Sequence, residues 1–155
     1  MKDIRKRIRI AVIGGSRPGR QALEAAFEVG RLVARAGAIV VCGGLGGVME
    51  AAARGAREEG GFVVGILPGG SPDDANPWVD LPVATGLGYT RNALVVMNAD
   101  AVVAIDGEYG TLSEIAYCKI HGKKVVGLGT WDVKGVETAT TPEEAVRLAL
   151  EGLDG

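Results

Sequence analysis

The sequence predicts a single Rossmann-like α/β domain spanning residues 1–155, with a doubly wound, mostly parallel sheet of about seven strands and helices on both faces. Three observations predict this class. Short β-branched runs alternate with longer helical patterns along the whole chain, which is the order typical of a parallel sheet with crossover helices. Glycine-rich turns separate several of these strands from the following helices. A length of 155 residues suits one sizeable core but not two.

The first half of the chain is predicted to form three strands and two helices. The strands are β-branched runs at residues 8–13, 39–41 and 62–67. The helices are stretches of helical periodicity at residues 21–36 and 48–59. A glycine turn comes before each helix, so the pattern of strand, glycine turn and helix occurs twice.

An irregular segment follows at residues 69–82, where Pro, Asp, Asn and Gly occur in quick succession. This composition and length predict a surface loop, and loops of this kind often cover a binding site. A short strand is expected near Val83, directly after the loop.

The second half alternates in the same way. Helices are predicted at residues 90–99 and 111–121, and apolar strands at 101–105 and 125–128. A short extended piece near Val136 precedes the last helix. That helix is expected to begin at a capping-box sequence, Thr141-Pro142-Glu143-Glu144.

Composition excludes several classes of function. The chain has 17 Lys plus Arg and 19 Asp plus Glu, a net charge of −2, which gives no global attraction to nucleic acid or to an anionic membrane. No apolar run reaches the ~20 residues of a membrane helix, and no signal peptide opens the chain, so a cytoplasmic protein is expected. Two distant cysteines and one histidine favour neither disulfides nor a metal site. We therefore predict no metal and no resident cofactor.

Three glycine-bearing turns, at residues 14–19, 43–47 and 107–110, each follow a strand and precede a helix. They are expected at the carboxyl edge of one sheet, where open α/β sheets bind ligands and helix N-termini favour anions. Tight packing of strand against helix is the alternative for any single turn. The dinucleotide fingerprint fails at Ser16 and Met49, and no turn ends in Gly-Lys-Ser/Thr. With these two motifs excluded, the ligand class that the turns still favour is a mononucleotide or a similar phosphorylated molecule.

Two motifs in the sequence resemble those of the LONELY GUY phosphoribohydrolases, often mislabelled lysine decarboxylases. One pairs Arg91 with the later segment Tyr109-Gly110-Thr111-Leu112-Ser113-Glu114. The other is Cys42-Gly43-Gly44-Leu45-Gly46-Gly47-Val48-Met49, which is similar to the glycine triplet and Gly-Leu-Met of that family. The resemblance covers nearly the whole chain.

This resemblance implies a site and an activity. Thr111 and the surrounding amides would hold a 5′-phosphate, while Arg91 and Glu114 would act at the ribose and the N-glycosidic bond of a nucleoside 5′-monophosphate. It also implies a homodimer or a higher homo-oligomer. The residues expected to bind the ligand and its phosphate are Gly14, Gly15, Ser16, Gly43, Gly44, Gly46, Gly47, Met49, Gly107, Tyr109, Gly110 and Thr111.

Some residues depart from the family pattern and favour a second hypothesis. Asp106 and Glu108 flank Gly107 where the family has Pro-Gly-Gly, so they place two carboxylates beside the loop expected to hold a phosphate. Asn92 replaces the usual lysine after the arginine, and Cys42 replaces the first glycine of the triplet. These changes match the molybdenum cofactor carrier proteins of the same superfamily. A non-catalytic carrier or sensor of a phosphorylated cofactor is therefore the alternative function.

Each candidate residue also has a structural interpretation. Thr111 and Glu114 have the spacing of a capping box, in which the glutamate closes a helix end. The Ser16 hydroxyl either caps its turn or donates to a ligand. Tyr89 and Tyr109 could stack on a base or simply lie in surface loops. The pairing of Glu114 with Arg91 at one sheet edge favours function over capping.

Overall fold

The computed structural model describes residues 3–153. Its seven strands are β1 (Arg9–Gly14), β2 (Ile39–Cys42), β3 (Val63–Leu67), β4 (Leu81–Ala84), β5 (Ala101–Ile105), β6 (Lys124–Leu128) and β7 (Glu137–Thr138). They form one sheet in the order β4-β3-β2-β1-β5-β6-β7, and every neighbouring pair is parallel. The sheet is thus wholly rather than mostly parallel.

Five α-helices cover both faces of this sheet, as predicted. They are α1 (Arg20–Arg35), α2 (Val48–Glu58), α3 (Arg91–Met97), α4 (Tyr109–Ile120) and α5 (Pro142–Leu150). Helix α1 packs against α2 and α5 on one face, while α3 packs against α4 on the other. Short 3-10 turns occupy Ile4–Lys6, Pro72–Asp74 and Gly88–Thr90. The Rossmann-like doubly wound class is confirmed.

Strand β1 shows how the sequence fills two cores at once. Ile10 and Val12 contribute to the core beneath α1, α2 and α5, whereas Ala11 and Ile13 contribute to the core beneath α3 and α4. Successive side chains of a strand point to opposite faces, and a parallel sheet covered on both sides needs apolar residues at every position. This is why β1 is a continuous apolar run.

Helices α1 and α2 approach each other closely because glycine stands at both points of contact. A Cβ on Gly30 would lie 2.0 Å from the Ala52 carbonyl oxygen, and a Cβ on Gly55 would lie 2.0 Å from that of Phe27. Glycine within a helix costs about 0.5–1 kcal/mol relative to alanine, and here the close packing of the two backbones accounts for it. The close packing of α1 and α2 places the turns that precede these two helices side by side.

Most element boundaries agree with the sequence prediction to within one or two residues, but helix α4 corrects one interpretation. It begins at Tyr109 rather than at residue 111, so Thr111 lies inside the first turn instead of capping it. The residue before the helix is Glu108, whose side chain makes no capping hydrogen bond. The capping-box interpretation of Glu114 is therefore wrong, because the predicted cap residue is already helical.

Two further segments refine the prediction. The irregular loop ends two residues earlier than expected, since Leu81 and Pro82 belong to the edge strand β4. At α5, the Thr141 hydroxyl accepts a hydrogen bond of 3.1 Å from the backbone N–H of Glu144. The Glu144 carboxylate accepts from the N–H of Thr140 rather than from Thr141, so the reciprocal bond of the capping box is shifted by one residue.

Within residues 3–153, none of the helices combines the length and apolar character needed to cross a membrane. The same residues include no group of three or more His, Cys, Asp or Glu side chains arranged to hold a metal ion.

Candidate functional site

A cavity of about 210 Å³ opens at the carboxyl edge of the sheet, where the turns after β1, β2 and β5 meet. This is the edge at which parallel α/β sheets bind ligands. Its lining residues are Ile13, Gly14, Gly15, Ser16, Gly43, Leu45, Met49, Tyr89, Arg91, Asn92, Glu108, Gly110, Thr111 and Glu114.

The turns after β1 and β2 are locked together at Gly47. This residue has a φ of 70°, and a Cβ there would lie 2.3 Å from the carbonyl oxygen of Gly15. The next residue, Val48, donates its backbone N–H to that same oxygen at 3.0 Å. Only glycine allows this approach, because an L side chain would be strained by both the φ angle and the contact. The result is a ridge of backbone, formed by Gly15, Ser16 and Gly47, along one side of the cavity.

The long loop supports the second turn rather than covering the site. Asn76 is buried, its backbone N–H donates to Gly44 O at 2.8 Å, and its Nδ2 donates to Leu45 O at 3.0 Å. No lining residue of the cavity comes from residues 69–82. The expectation that the loop covers the site is thus wrong, and its contribution is to fix the backbone of the glycine turn.

The turn between β5 and α4 contains consecutive residues with positive φ. Asp106 has a φ of 53° and Gly107 a φ of 105°. A Cβ on Gly107 would lie 2.2 Å from Oγ1 of Thr111, which is itself buried in the first turn of α4. This tight turn brings the start of α4 to the cavity, and free backbone N–H groups at a helix start favour an anion.

Arg91 lies at the floor of the cavity with 7% of its surface exposed. One terminal nitrogen donates to Gly43 O at 3.2 Å and lies 3.9 Å from the Met49 sulfur, and the other donates to Asn92 Oδ1. Its Nε is the one buried side-chain polar atom without a hydrogen-bond partner in the described part of the chain. Burial lowers the pKa of this guanidinium. A buried donor without a partner costs about 1–3 kcal/mol, so a ligand acceptor would satisfy it.

Glu114 faces the same cavity from α4 with 6% of its surface exposed. Burial raises the pKa of this carboxyl to about 8, and the nearby charge of Arg91 opposes the shift without overcoming it. The two groups are not paired within 4.0 Å among the ion pairs of residues 3–153. At neutral pH the carboxyl is therefore mainly protonated.

Asn92 connects the two helices that carry these groups. It is buried, its Oδ1 accepts from Arg91, and its Nδ2 lies 3.4 Å from both Gly110 O and Ser113 Oγ. The sequence marks this position only as a departure from a lysine. Its contact with both helices is a tertiary feature that no local sequence pattern contains.

The structure brings most of the sequence-predicted site residues to the cavity, but not all of them. Those lining it are Gly14, Gly15, Ser16, Gly43, Met49, Arg91, Gly110, Thr111 and Glu114. Those outside the lining are Gly44, Gly46, Gly47, Gly107 and Tyr109. Four lining residues were not among the predicted ligand-binding residues, namely Ile13, Leu45, Asn92 and Glu108. Tyr89 was named only as a residue that could stack on a base or lie in a surface loop.

The residues outside the lining have other structural roles. Gly44 and Gly107 adopt φ angles of 78° and 105° that shape their turns. Tyr109 is 78% exposed, and its ring centroid lies 5.7 Å from that of Trp131, which donates its Nε1–H to Glu108 O. Tyr109 therefore packs near Trp131 outside the cavity lining.

The two carboxylates expected near the phosphate loop are separated. Glu108 is exposed and lines the cavity. Asp106 instead lines a different cleft, which it shares with Gly19 and Leu128. Of Asp106 and Glu108, only Glu108 is therefore positioned to repel an anion in the site.

The parallel sheet and the cavity at its carboxyl edge define a Rossmann-like protein of the ligand-binding type. The chain belongs to the SLOG cluster4 family, whose model matches residues 7–151. The resemblance seen in the motifs is thereby confirmed. An uncharacterized protein of Archaeoglobus fulgidus is 42% identical over 94% of this chain and 96% of its own length.

Two other relatives carry functional names. The cytokinin riboside 5′-monophosphate phosphoribohydrolase LOG of Oryza sativa subsp. japonica is 36% identical over 132 residues, 77% of this chain and 54% of the rice protein. The present chain thus spans about half the length of that enzyme. The molybdenum cofactor binding protein from the phototrophic bacterium Rippkaea orientalis superposes with a TM-score of 0.87 at 33% identity, over 92% of this chain and 94% of that one.

Proposed function

We propose that this protein binds a nucleoside 5′-monophosphate and hydrolyses its N-glycosidic bond, releasing free base and ribose 5-phosphate. The rice phosphoribohydrolases that match the chain support this reaction class. The observation that carries the proposal is a pair of buried groups that do not form an ion pair with each other. The Nε of Arg91 has no hydrogen-bond partner, and the carboxyl of Glu114 has a raised pKa. Perturbed ionisable groups of this kind cluster at functional sites.

The phosphate would lie at the start of α4. The backbone N–H groups of Gly110 and Thr111 and the positive end of the helix dipole favour a dianion there. Arg91 would donate from Nε to a ribose hydroxyl or to a phosphate oxygen, with its other nitrogens already held by Gly43 and Asn92. A guanidinium fixed in this way loses little conformational entropy on binding.

Glu114 would provide the acid–base chemistry. As a neutral carboxylic acid it donates its proton to a nitrogen of the leaving base as the bond from that base to the anomeric carbon breaks. The resulting carboxylate faces the oxocarbenium-like carbon and stabilises its positive charge. A water then adds to that carbon and returns a proton to Glu114. One proton leaves with the base and one comes from water, so the carboxyl is regenerated.

A panel of purified nucleoside monophosphates tests this proposal. Incubation of the wild-type protein with AMP, GMP, CMP and UMP should release free base and ribose 5-phosphate in equal amounts for at least one of them, as quantified by chromatography. Release of inorganic phosphate instead would indicate a different reaction, and no product from any monophosphate would contradict hydrolysis.

The second candidate function is a carrier that binds a phosphorylated cofactor without cleaving it. Glu108 favours it, because this residue of the cavity lining departs from the Pro-Gly-Gly pattern of the phosphoribohydrolases, a departure that matches the cofactor carrier proteins. The similarity to the Rippkaea protein, over nearly the full length of both chains, supports small-molecule binding of this type. Mass spectrometry of ligands released from the freshly purified protein separates the two, since a carrier retains an intact phosphorylated heterocycle and a hydrolase does not.

We further propose that the chain forms a homodimer through the face that carries α3 and α4. Met97 and Ile120 are 49% and 72% exposed on these helices, next to the partly buried Leu94 and Tyr117. Apolar side chains on the outer side of a two-helix layer are typical of an interface. Light scattering should show a dimer for wild type and a monomer for Ile120→Glu, whereas Leu23→Glu, at an exposed apolar residue of α1 on the other face of the sheet, should stay dimeric.

A further inference from the structure

A second and larger cleft, of about 580 Å³, lies beyond the backbone ridge and between the N-terminal halves of α1 and α2. Ser16 lines both this cleft and the candidate site, and Gly47, which belongs to the same ridge, lines the cleft, so the two are neighbours across the ridge. Ligand pockets usually measure about 300–1,000 Å³. The site around Arg91 and Glu114, at about 210 Å³, falls below that range, whereas the cleft lies well within it.

The walls of the cleft include two pairs of side chains in which the members are one helical turn apart. Helix α1 contributes Leu23 and Phe27, and helix α2 contributes Glu50 and Arg54. The guanidinium carbon of Arg54 lies 4.8 Å from the centroid of the Phe27 ring. The Arg54 guanidinium is thus held over an aromatic ring, and Arg54 is an exposed residue that lines the cleft.

A guanidinium supported in this way is a stacking platform for a planar ring. Arginine stacks on aromatic and heterocyclic faces through its delocalised plane, which lysine lacks. Neither Arg54 nor Glu50 has an ion-pair partner within 4.0 Å in the described residues. Glu24, also on the wall, is by contrast paired with Arg20 at 3.1 Å.

Glu50 supplies a means of discrimination between bases. It is half-buried and lines the cleft one turn before Arg54. A carboxylate accepts two parallel hydrogen bonds from a group that presents adjacent N–H donors. Guanine presents such a pair, a ring N–H beside an amino group. Hypoxanthine has the ring N–H alone, and adenine has only an amino group beside a ring acceptor.

We propose that the cleft between α1 and α2 is the subsite for the heterocycle of the ligand, and that it selects a guanine-type ring stacked on Arg54 and hydrogen-bonded to Glu50. This proposal rests on the proposed function for the position of the phosphate and ribose, which occupy the cavity around Arg91, Glu114 and Thr111. The ligand then crosses the ridge at Ser16 and Gly47.

Amide NMR on the ¹⁵N-labelled protein tests the two subsites separately. Ribose 5-phosphate should shift resonances of residues 107–114 and leave those of 23–27 and 50–54 unchanged. GMP should shift both sets, and 9-methylguanine, which lacks both the ribose and the phosphate, should shift the cleft set alone. GMP that perturbs only residues 107–114 would overturn the proposal while leaving the proposed function intact.

Calorimetry on matched variants tests the contacts. Glu50→Gln should weaken GMP binding about tenfold, the loss typical of a hydrogen bond to a charged group, and should change ribose 5-phosphate affinity less than about twofold. Arg54→Lys keeps the charge but loses the plane, and it should weaken GMP, IMP and AMP alike. Glu143→Gln, at the exposed start of α5, is the matched control and should have no effect.

The remaining outcomes are equally decisive. Equal wild-type affinities for GMP, IMP and AMP would overturn the selection by Glu50. Parallel losses of GMP and ribose 5-phosphate binding in Glu50→Gln would show that this residue acts on the first cavity, which also overturns the proposal. If 9-methylguanine shifts the cleft while ribose 5-phosphate shifts nothing, the cleft proposal stands and the proposed function fails.

Discussion

Arg91 and Glu114 are buried at the floor of the same cavity, with 7% and 6% of their surfaces exposed, yet the two side chains do not form an ion pair with each other. The guanidinium is held by Gly43 O and Asn92 Oδ1 instead. Because no cation neutralises it at close range, burial raises the pKa of the Glu114 carboxyl to about 8. A carboxyl with a raised pKa and a guanidinium with an unpartnered Nε therefore line the same cavity.

The raised pKa predicts how activity depends on pH. If Glu114 donates a proton to the leaving base, kcat should be highest below pH 8 and fall about tenfold per unit above it as the carboxyl ionises. Rates measured from pH 5.5 to 9.5 with saturating monophosphate check this. A kcat that rises through pH 8 would instead mean that the ionised carboxylate is the active form.

The same shift predicts how stability depends on pH. The folded-state pKa of Glu114, about 8, lies above the ordinary glutamate value of 4.5, so the folded protein holds a proton that the unfolded chain releases. The resulting stabilisation is complete below the unfolded pKa and is lost as pH rises from 4.5 to about 8, with a slope of at most about 1.4 kcal/mol per unit.

The isosteric change Glu114→Gln should remove this dependence. Urea unfolding at several pH values should show the variant gaining stability relative to wild type between pH 5 and 8. Glu137→Gln, on the exposed edge strand β7, is the control and should track wild type throughout. A constant difference between Glu114→Gln and wild type over this range would contradict the shift.

Glu108 is expected to weaken the binding of an anion. It borders the cavity and makes no capping hydrogen bond, so Glu108→Gln removes a charge without removing a helix cap. Ribose 5-phosphate should bind about two- to fivefold more tightly to the variant at low salt, a gain in keeping with an exposed charge pair. The gain should shrink as ionic strength rises, since screening already relieves the repulsion. Equal affinities at low salt would show that Glu108 has no influence on the site.

Asn92 is predicted to position Arg91. In Asn92→Ala the buried guanidinium loses its Oδ1 acceptor, so the free energy of unfolding should fall by about 1–3 kcal/mol. The kcat should fall while Glu114 still titrates, so the pH at which activity declines should stay unchanged. Asn98→Ala removes an exposed amide from the end of the same helix, where Nδ2 donates to Leu94 O, and serves as the control. An unaltered kcat in Asn92→Ala would contradict the positioning of Arg91 by this residue.

The alternation of strands and helices was sufficient to predict the fold, because β1 and β5 are continuous apolar runs and glycines mark the turns that follow them. The same logic places Arg91, Thr111 and Glu114 at one sheet edge. Sequence could not show that α4 starts at Tyr109, since that depends on the positive φ angles of Asp106 and Gly107. The sequence also did not reveal the contacts of Asn92 or the hydrogen bond from the Asn76 N–H to Gly44 O, because these contacts join segments that are distant in the chain.

The cleft between α1 and α2 could not be predicted from the sequence either. Leu23 and Phe27 have the spacing of the apolar stripe of an amphipathic helix, and Arg54 belongs to none of the sequence motifs. Only the close approach of the helices at Gly30 and Gly55 brings these side chains to one surface. Ligand selectivity here depends on tertiary packing rather than on a motif.

The comparison of wild type with Glu114→Gln tests the hydrolase proposal most directly, when monophosphate turnover and ribose 5-phosphate affinity are measured on the same preparations. We predict that wild type releases base and ribose 5-phosphate, and that Glu114→Gln loses at least about a hundredfold in kcat, the usual contribution of a general acid, while its affinity for ribose 5-phosphate changes less than about threefold. Full activity in Glu114→Gln, or no product from wild type on any monophosphate that it binds, would contradict the account.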